Sequence, residues 1–305
     1  KGDCDMPYFT VFTPTYNRAY ILPKLYQSLR EQTCMDFEWM IVDDGSTDDT
    51  GKLVAQWEDQ NNGFDIHYYK IQNGGKPRAI NFGITKANGD FFFMVDSDDR
   101  LTTDAVQKML LWCKEIEDDP TFVGVGAARG YPDGSYLKGT APRTNEHGYV
   151  DATNLERNKY DLDADMCEAY KVSVFRQFPM AEWPGEKFAP EQIALNEIAL
   201  SGYKIRWHKD IINICDYLED GLTKGWRALV KKNPMGYAMM YNHMLKYPNL
   251  SIREKYFAAC QQIALSIIGE HPGYIWKSNR FVYTMLALPV GTVLSVRRKR
   301  QFRED

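Results

Sequence analysis

The chain has 305 residues, of which 44% are hydrophobic and 26% charged, so its composition is that of a folded globular protein rather than a disordered one. Its formal net charge of −4 argues against a nucleic-acid-binding protein, because neutralising phosphates requires a concentrated excess of Lys and Arg. The six cysteines form no CxxC pair and no secretory signal precedes them, which predicts a cytoplasmic protein with reduced thiols.

The first half of the chain alternates short apolar runs with longer segments of helical period. Such alternation is typical of β-α-β units, in which helices cover both faces of a mostly parallel sheet. It predicts an α/β fold whose first half is a Rossmann-like, mostly parallel sheet. The predicted strands are 9–13, 39–43, 66–71, 91–95 and 122–127, and the helix after the second strand is predicted to begin within 46–48.

The second half is less regular. The polar stretch 139–158 has weak periodicity and predicts a long loop. Regular structure is predicted again over 169–178, in a helix over 191–200, and in two strand-like runs over 204–207 and 211–217. From residue 222 onward the pattern predicts helices, so we expect a helical C-terminal extension.

Four polar motifs follow the first four predicted strands. In open α/β sheets the loops after the carboxyl ends of the strands border a ligand-binding crevice. We therefore expect the four motifs to form one binding site. They are Pro14-Thr15-Tyr16-Asn17-Arg18, Asp43-Asp44-Gly45-Ser46, Asn73-Gly74-Gly75-Lys76-Pro77-Arg78 and Asp96-Ser97-Asp98-Asp99.

The last motif places Asp96, Asp98 and Asp99 on one short segment, where their charges repel unless a cation or hydrogen bonds compensate. Mg²⁺ or Mn²⁺ takes one or two protein carboxylates and completes its shell with water and substrate phosphates. The alternative is an acidic helix start, since the residues after Asp99 predict a helix. The position directly after the apolar run 91–95 favours the metal site.

The second and third motifs suit the other parts of a nucleotide. A carboxylate of Asp43 or Asp44 could accept the N3–H of uracil, with a simple strand-ending turn as the alternative. Lys76 and Arg78, with the main-chain N–H groups of their glycine loop, suit a diphosphate, although two solvated surface charges would give the same pattern. The loop lacks the GxxxxGK[ST] pattern, which disfavours a P-loop ATPase. A glycine-rich run over 124–130 is interpreted as a strand end with a turn.

Together, the four motifs resemble the inverting glycosyltransferases of family 2, which have the GT-A fold, over roughly residues 7–217. The resemblance implies that 14–17 and Asp44, with Asp43 beside it, hold the uridine and that Arg18, Lys76 and Arg78 lie near the nucleotide. It implies further that Asp96 and Ser97 face the ribose and that Asp98, with Asp96, binds the metal. The stretch 217–223 also resembles one found after this domain in bacterial polysaccharide enzymes.

The family's catalytic base comes from a Glu-Asp pair that opens a helix in the second half. Here that place reads Glu191-Gln192, and an amide cannot accept a proton, so Glu191 is the candidate base. Glu191 also suits a helix N-terminus as a negative charge. The departure keeps open a nucleotide- or carbohydrate-binding module without catalysis. A sugar nucleotidyltransferase is a second alternative, because it would use metal-binding carboxylates on a similar α/β sheet.

The resemblance also implies the partners and the domain organisation. We expect a UDP-sugar donor, a saccharide or lipid-linked saccharide acceptor, a Mg²⁺ or Mn²⁺ cofactor, and a role in bacterial surface polysaccharide synthesis. The GT-A domain is expected over 7–220, with a nucleotide-binding half over 7–130 and an acceptor half over 131–220. The helical extension is then expected over 221–305.

The C-terminal segment is apolar over 281–296 and basic over 297–300. It is short for a membrane-spanning helix, which needs ~20 residues, and Pro289 and Gly291 interrupt it. A peripheral contact with anionic lipid through 281–303 is one interpretation. The other is a core-packed helix with a solvated basic end.

Overall fold

The computed structural model describes residues 6–215 and 225–304. The stretch 217–223 and the expected domain boundary at 220 lie outside these ranges. The chain divides into two compact units, one formed by Lys1–Pro179 with Ser201–Tyr217 and the other by Met180–Leu200 with Leu218–Asp305. Residues 180–200, expected in the GT-A domain, thus group with the C-terminal helices, while the boundary at 220 stays a prediction.

The first unit is built on one mixed sheet. Within the described residues the strand order is β3-β2-β1-β4-β8-β6-β9-β5, and β7 pairs with β9. The strands are β1 Phe9–Thr15, β2 Phe37–Asp43, β3 Ile66–Lys70, β4 Phe91–Met94, β5 Asp99–Leu101, β6 Phe122–Gly130, β7 Tyr149–Ala152, β8 Met166–Lys171 and β9 Lys204–Cys215.

The strand directions place six carboxyl ends at one edge of this sheet. β1 to β4 are parallel to one another. β8 is antiparallel to both β4 and β6, so β6 runs in the same direction as β4, and β9 is parallel to β6. The carboxyl ends of β1, β2, β3, β4, β6 and β9 therefore share an edge, which is where ligands bind in such sheets.

Helices cover both faces of the sheet. Alternate residues such as Phe9 and Trp39 pack on α1, α2 and α4, whereas Phe12 and Phe92 stack on the opposite face with ring centroids 4.6 Å apart. α3 approaches that second face closely, since a Cβ on Gly83 would lie 2.3 Å from the Phe12 ring. The helices are α1 Leu22–Arg30, α2 Thr50–Glu58, α3 Lys76–Lys86, α4 Ala105–Lys114 and α5 Val172–Phe175, with a 3₁₀ helix over Asn154–Tyr160.

The α/β fold class is confirmed, but four local predictions are wrong. The predicted loop over 139–158 contains β7 and most of the 3₁₀ helix, because β7 pairs with β9 far along the chain. Residues after Asp99 form β5 instead of a helix start, because Asp99 and Leu101 pair antiparallel with Cys215 and Asn213, more than a hundred positions away. α4 begins only at Ala105, so the acidic-cap alternative fails. The run 124–130 is the second part of β6 rather than a turn, and α2 begins at Thr50 rather than within 46–48.

The second unit consists of helices, as predicted for the C-terminal region. α9 begins with a capping box in which Ser251 and Glu254 exchange hydrogen bonds. The Glu186 carboxylate accepts the N–H groups of Met235 and Gly236 at 2.8 and 2.7 Å and so caps α8. The helices are α6 Gln192–Leu200, α7 Trp226–Lys232, α8 Pro234–Met244, α9 Ile252–Ile268 and α10 Phe281–Glu304, with a 3₁₀ helix over Pro272–Lys277.

Candidate active site

Asp43 closes the turn after β2. It is fully buried, and its Oδ1 accepts the Ser46 N–H at 2.7 Å. Its Oδ2 accepts the Tyr68 hydroxyl, and burial together with this carboxylate raises the pKa of Tyr68. Both oxygens of Asp43 are thus engaged inside the protein, which gives this residue a role in shaping the corner beside the site.

Asp44 anchors the glycine loop that follows β3. Its Oδ1 accepts the Gly74 N–H at 2.7 Å, and its Oδ2 accepts the Gly75 N–H at 2.7 Å and the Asn73 amide at 2.9 Å. The expectation that these two main-chain N–H groups face a phosphate is therefore wrong, because the carboxylate occupies them. An ionised carboxylate has about four acceptor sites, so Asp44 retains capacity for one further donor.

The glycine loop delivers Lys76 and Arg78 to the same edge of the sheet. Gly75 has φ +94°, a conformation that favours glycine, and α3 begins at the next residue. The Lys76 Nζ lies 2.8 Å from Asp96 Oδ1. Arg78 covers Gly74, where an added Cβ would come within 2.3 Å of its guanidinium. The third and fourth motifs are thus joined by an ion pair.

Asp96 lies between two cations. In addition to Lys76, the Arg129 Nη1 on β6 lies 3.2 Å from Asp96 Oδ2. Burial alone would raise the pKa of Asp96, but Lys76 and Arg129 hold it well below its usual range. This carboxylate stays ionised and is fixed in place on both sides.

Asp99 holds Arg129 in place from inside the sheet. The Arg129 Nη1 lies 2.9 Å from Asp99 Oδ2, which also accepts the Asn213 amide at 3.0 Å. Burial raises the pKa of Asp99, while Arg129 opposes that rise.

Asp98 has a different environment. Its pKa is raised by burial and by the charge of Asp96, and Arg18 opposes that rise. Within the ranges that the structure describes, no other residue is hydrogen-bonded or ion-paired with its carboxylate. Ser97, between the two aspartates, is buried in the tight turn that Asp96 and Asp99 close. The one poorly compensated negative charge of the motif is therefore that of Asp98.

The donor set fits a hard cation that arrives with a phosphate ligand. The described residues contain no group of three His, Cys, Asp or Glu side chains able to hold a metal ion by themselves. The carboxylates of Asp98 and Asp96 match the one or two protein ligands that Mg²⁺ commonly takes, with the remaining positions left to water and substrate phosphates.

The loop after β1 is tied to the corner after β2 through Asn17. This residue has φ +53°, its N–H donates to the Ser46 hydroxyl at 2.8 Å, and its Oδ1 accepts the Thr47 N–H at 2.7 Å. Pro14 is half-buried, and Tyr16 beside it is 47% exposed.

Thr15 is the buried member of the loop after β1. No partner within the described residues reaches its hydroxyl oxygen. Its carbonyl accepts the Asp44 N–H at 2.8 Å. Arg18 donates to the Tyr20 hydroxyl at 2.5 Å. The first two motifs are therefore joined by main-chain as well as side-chain hydrogen bonds.

The structure brings all four motifs into contact. Asp44 of the second motif bonds to the glycine loop of the third, and Lys76 of the third pairs with Asp96 of the fourth. Asn17 of the first motif bonds to Ser46 of the second. Glu191 belongs to the other compact unit, where its carbonyl accepts the Leu195 N–H of α6 at 3.1 Å. Its assignment as the base stays a prediction.

Sequence reasoning missed Arg129. Its side chain is only 12% exposed, and its Nε also donates to the Met166 carbonyl at 2.9 Å. The available signal was a single cation in the glycine-rich apolar run 124–130. Since β6 is parallel to β4, the end of that run lies at the same sheet edge as Asp96.

Comparison with curated proteins finds bacterial glycosyltransferases. The chain is 32% identical over 139 residues to the poly(ribitol-phosphate) beta-N-acetylglucosaminyltransferase TarS of Staphylococcus aureus, covering 44% of this chain and 24% of TarS. It is 33% identical over 107 residues to the GalNAc(5)-diNAcBac-PP-undecaprenol beta-1,3-glucosyltransferase of Campylobacter jejuni, covering 34% of each. The matches thus span well under half the length of these relatives.

Solved structures share the fold over nearly the whole chain. The S. aureus TarS 1–349 complex with UDP-GlcNAc has a TM-score of 0.62 at 18% identity, covering 93% of this chain and 80% of that one. A mannosyltransferase of Pyrobaculum calidifontis in complex with GDP-Man and Mn²⁺ has a TM-score of 0.56 at 17% identity, covering 96% and 81%. The GT-A fold is confirmed.

A family profile described as Glycosyl transferase family 2 matches residues 10–178, which is more than half of the chain. The match includes all four motifs at the carboxyl edge and Arg129 on β6. The chain belongs to glycosyl transferase family 2.

Proposed function

We propose that this protein is an inverting glycosyltransferase that moves a sugar from a nucleoside diphosphate, most simply a UDP-sugar, to an acceptor hydroxyl. One observation carries the proposal. Asp96 is fixed between Lys76 and Arg129 while Asp98, beside it, has a raised pKa and no cation partner among the described residues. Cations and carboxylates that lie together at the ligand-binding edge of an α/β sheet suit a diphosphate with its bound metal ion.

Each motif has a role in this proposal. Asp44 uses its remaining acceptor capacity for the uracil N3–H, and Pro14, Thr15 and Tyr16 border the base. Asp96 and Ser97 face the ribose. Lys76, Arg78 and Arg18 supply positive charge to the diphosphate, which becomes more negative as the bond to the sugar breaks. Asp43 supports Asp44 from within the corner.

Asp98, with Asp96, would hold Mg²⁺ or Mn²⁺, whose charge would neutralise the leaving diphosphate. This chain's own part of metal binding is therefore to keep Asp96 oriented and to present the Asp98 carboxylate, on which Arg18 and Lys76 act only through their charge.

The proposed reaction is a single displacement. The acceptor oxygen forms a bond to the anomeric carbon as the bond from that carbon to the diphosphate oxygen breaks, which inverts the configuration. The acceptor proton passes to a carboxylate, which we assign to Glu191, and the electron pair of the broken bond leaves on the diphosphate. No covalent enzyme intermediate is needed.

The acceptor is proposed to be a saccharide or a lipid-linked saccharide in bacterial surface polysaccharide synthesis, used by a cytoplasmic enzyme in peripheral contact with the membrane. The name of the C. jejuni relative includes an undecaprenol-linked saccharide, which supports the lipid-linked class.

The metal and nucleotide assignment is tested by calorimetric titration of UDP with and without Mn²⁺. Asp98→Ala should abolish Mn²⁺-dependent binding. Asp104→Ala is the matched control, because Asp104 is a nearby acidic residue that pairs with Lys108 at 2.9 Å. Undiminished binding by Asp98→Ala would overturn the assignment.

Transfer is tested by incubating UDP-sugars with Mn²⁺ and measuring UDP release. Glu191→Gln should retain UDP affinity and lose release, whereas an active variant would place the base elsewhere. A wild-type protein that binds UDP but releases none would favour the binding module. Pyrophosphate formed from a nucleoside triphosphate and a sugar phosphate would favour the nucleotidyltransferase.

A further inference from the structure

Helix α10 exposes its large apolar side chains to solvent. Val282, Leu286 and Val293 are 69%, 66% and 69% exposed, and Met285, Val290 and Val296 are each more than two fifths exposed. A surface helix ordinarily presents polar residues outward and apolar residues inward. Here several large apolar residues face solvent as well.

The fully buried positions of α10 carry small residues, and Tyr283, Leu288 and Leu294 pack beside them in partly buried positions. Thr284, Ala287, Gly291 and Ser295 are buried, at spacings of three and four. A Cβ added at Gly291 would lie 2.7 Å from Ile263, so α10 approaches α9 closely. Packing against α9 therefore explains the small residues and leaves the outer face without a function in the fold.

The exposed residues form one continuous stripe. At 3.6 residues per turn, positions 282, 286, 289, 293, 296 and 300 align along one side of the helix. The apolar part from 282 to 296 is about 21 Å long at 1.5 Å per residue. The helix continues through Pro289, so the predicted interruption does not break the stripe.

Exposed cations lie at both ends of the stripe. Arg297, Lys299 and Arg300 follow its apolar part, and Lys277 and Arg280 precede it. Arg298 is not part of this set, because it is half-buried and burial lowers its pKa. A second copy of the chain packed on the stripe in either direction would bring cations together. An anionic surface is the complementary partner.

We propose that the outer stripe of α10 binds the headgroup region of an anionic lipid bilayer, with its apolar side chains at the acyl boundary and its cations on the lipid phosphates. Trp276 and Phe281, each more than half exposed with ring centroids 6.4 Å apart, add aromatic residues of the kind that favour this interface. No helix in the described ranges is long and apolar enough to cross a bilayer, so this binding is parallel to the surface.

The proposal goes beyond glycosyl transfer and does not depend on it. Membrane binding is measured without donor, acceptor or metal, so a failure of the transferase assignment and a failure of this one are distinguished. The experiment uses the full 305-residue chain and co-sedimentation with vesicles of phosphatidylcholine alone or with an equal part of phosphatidylglycerol, at low salt.

The wild-type chain should bind the anionic vesicles at least about tenfold more tightly than the neutral ones, because several cations near the surface each add attraction. Leu286→Asp/Val293→Asp should weaken partition at least about tenfold, since it removes apolar burial. Arg297→Glu/Arg300→Glu should remove the preference for anionic lipid. Ile252→Asp, at a 74% exposed position of α9, is the control and should bind like the wild type.

Circular dichroism and thermal unfolding verify that each variant is folded, which the exposure of the substituted positions favours. Wild-type binding that is absent, or equal for both vesicles, would overturn the proposal. So would equal binding by the Asp double variant. A dimer in light scattering that this variant dissociates would identify the stripe as a protein interface instead.

Discussion

The two edges of the sheet hold buried carboxylates in different ways. At the amino edge, Glu38 is 2% exposed and accepts the Thr10 hydroxyl at 2.6 Å, the Asn88 main-chain N–H at 2.9 Å and the Asn88 amide at 2.8 Å. The ring of His67 lies 3.2 Å from its second oxygen. At the carboxyl edge, Lys76 and Arg129 neutralise Asp96 and Arg129 neutralises Asp99, but Asp98 has no such partner in the described part of the chain.

The difference separates structural acids from acids that are prepared for a ligand. A buried carboxylate that accepts a full set of hydrogen bonds is stable without any additional group. A carboxylate next to another negative charge gains from a cation that the protein does not supply. The carboxyl edge is therefore the part of the sheet where we expect ligand binding to change stability.

The largest loss of stability is expected from removing the guanidinium group that Asp96 and Asp99 share. Arg129→Met leaves Asp96 and Asp99 with less compensation in a buried site and should lower the free energy of unfolding by about 3–5 kcal/mol in urea denaturation. Arg129→Met/Asp99→Asn should recover part of that loss, since it removes the stranded charge. Arg143→Met, at an arginine whose side chain is 64% exposed, should cost under about 1 kcal/mol. Equal losses at both arginines would contradict the comparison.

Acid titration can sharpen the comparison once His208 is accounted for. Burial, assisted by Arg206, lowers the pKa of His208 to about 3, and its ring stacks on Trp112 at 3.9 Å. Below the ordinary pKa of 6.5 the unfolded chain binds a proton at this imidazole and the folded chain does not. The free energy of unfolding is therefore highest above pH 6.5 and falls as the pH is lowered toward 3.

Between pH 7 and 4.5 this loss amounts to about 2–3 kcal/mol, which urea denaturation at several pH values measures. The free energy of unfolding of His208→Phe should depend less on pH over that interval. The dependence that remains is then due to the carboxylates. An unchanged slope would show that the imidazole is protonated in the fold.

The two edges are compared most directly by Asp44→Asn and Glu38→Gln. Each puts an amide where main-chain or side-chain donors point, so each should lower the free energy of unfolding by about 1–3 kcal/mol. Only Asp44→Asn should also weaken UDP binding, by about tenfold in calorimetry. Loss of UDP affinity in Glu38→Gln as well would mean that stability rather than contact explains the effect.

The smallest stability effect is expected at Asp98. Since burial and Asp96 raise its pKa, the ionised form is disfavoured in the fold and Asp98→Asn should change the free energy of unfolding by less than about 1 kcal/mol, toward greater stability. The same variant should lose Mn²⁺-dependent UDP binding. A destabilisation as large as that of Arg129→Met would make Asp98 a structural residue.

Local sequence patterns were sufficient to predict the strands that precede the candidate site residues. β1, β2, β3 and β4 were predictable because buried parallel strands are short apolar runs between helical periods, and the four motifs stand directly after them. The same signals predicted one shared edge of the sheet and the family.

Pairing between strands that are distant in the chain could not be predicted from the sequence. β5 exists because Asp99 pairs with a strand more than a hundred residues away, and a local reading of the same residues gives a helix start. The bonds of Asp44 to the loop 73–75 and the position of Arg129 depend on the sheet order in the same way. The roles of Glu191 and of the other site residues stay predictions that the experiments above address.

Asn17 has a consequence for protein engineering. Because it adopts a left-handed conformation and bonds to Ser46 and Thr47, the loops after β1 and β2 hold each other's shape. Grafting one of these loops alone, in order to change the proposed base specificity, would remove at least four hydrogen bonds between the loops. Three of them involve Asn17, and one joins the Ala19 N–H to Asp48. A graft that exchanges 14–19 and 44–50 together, with Asn17, Ser46 and Asp48 retained, would keep these hydrogen bonds and vary the residues that are proposed to border the ligand.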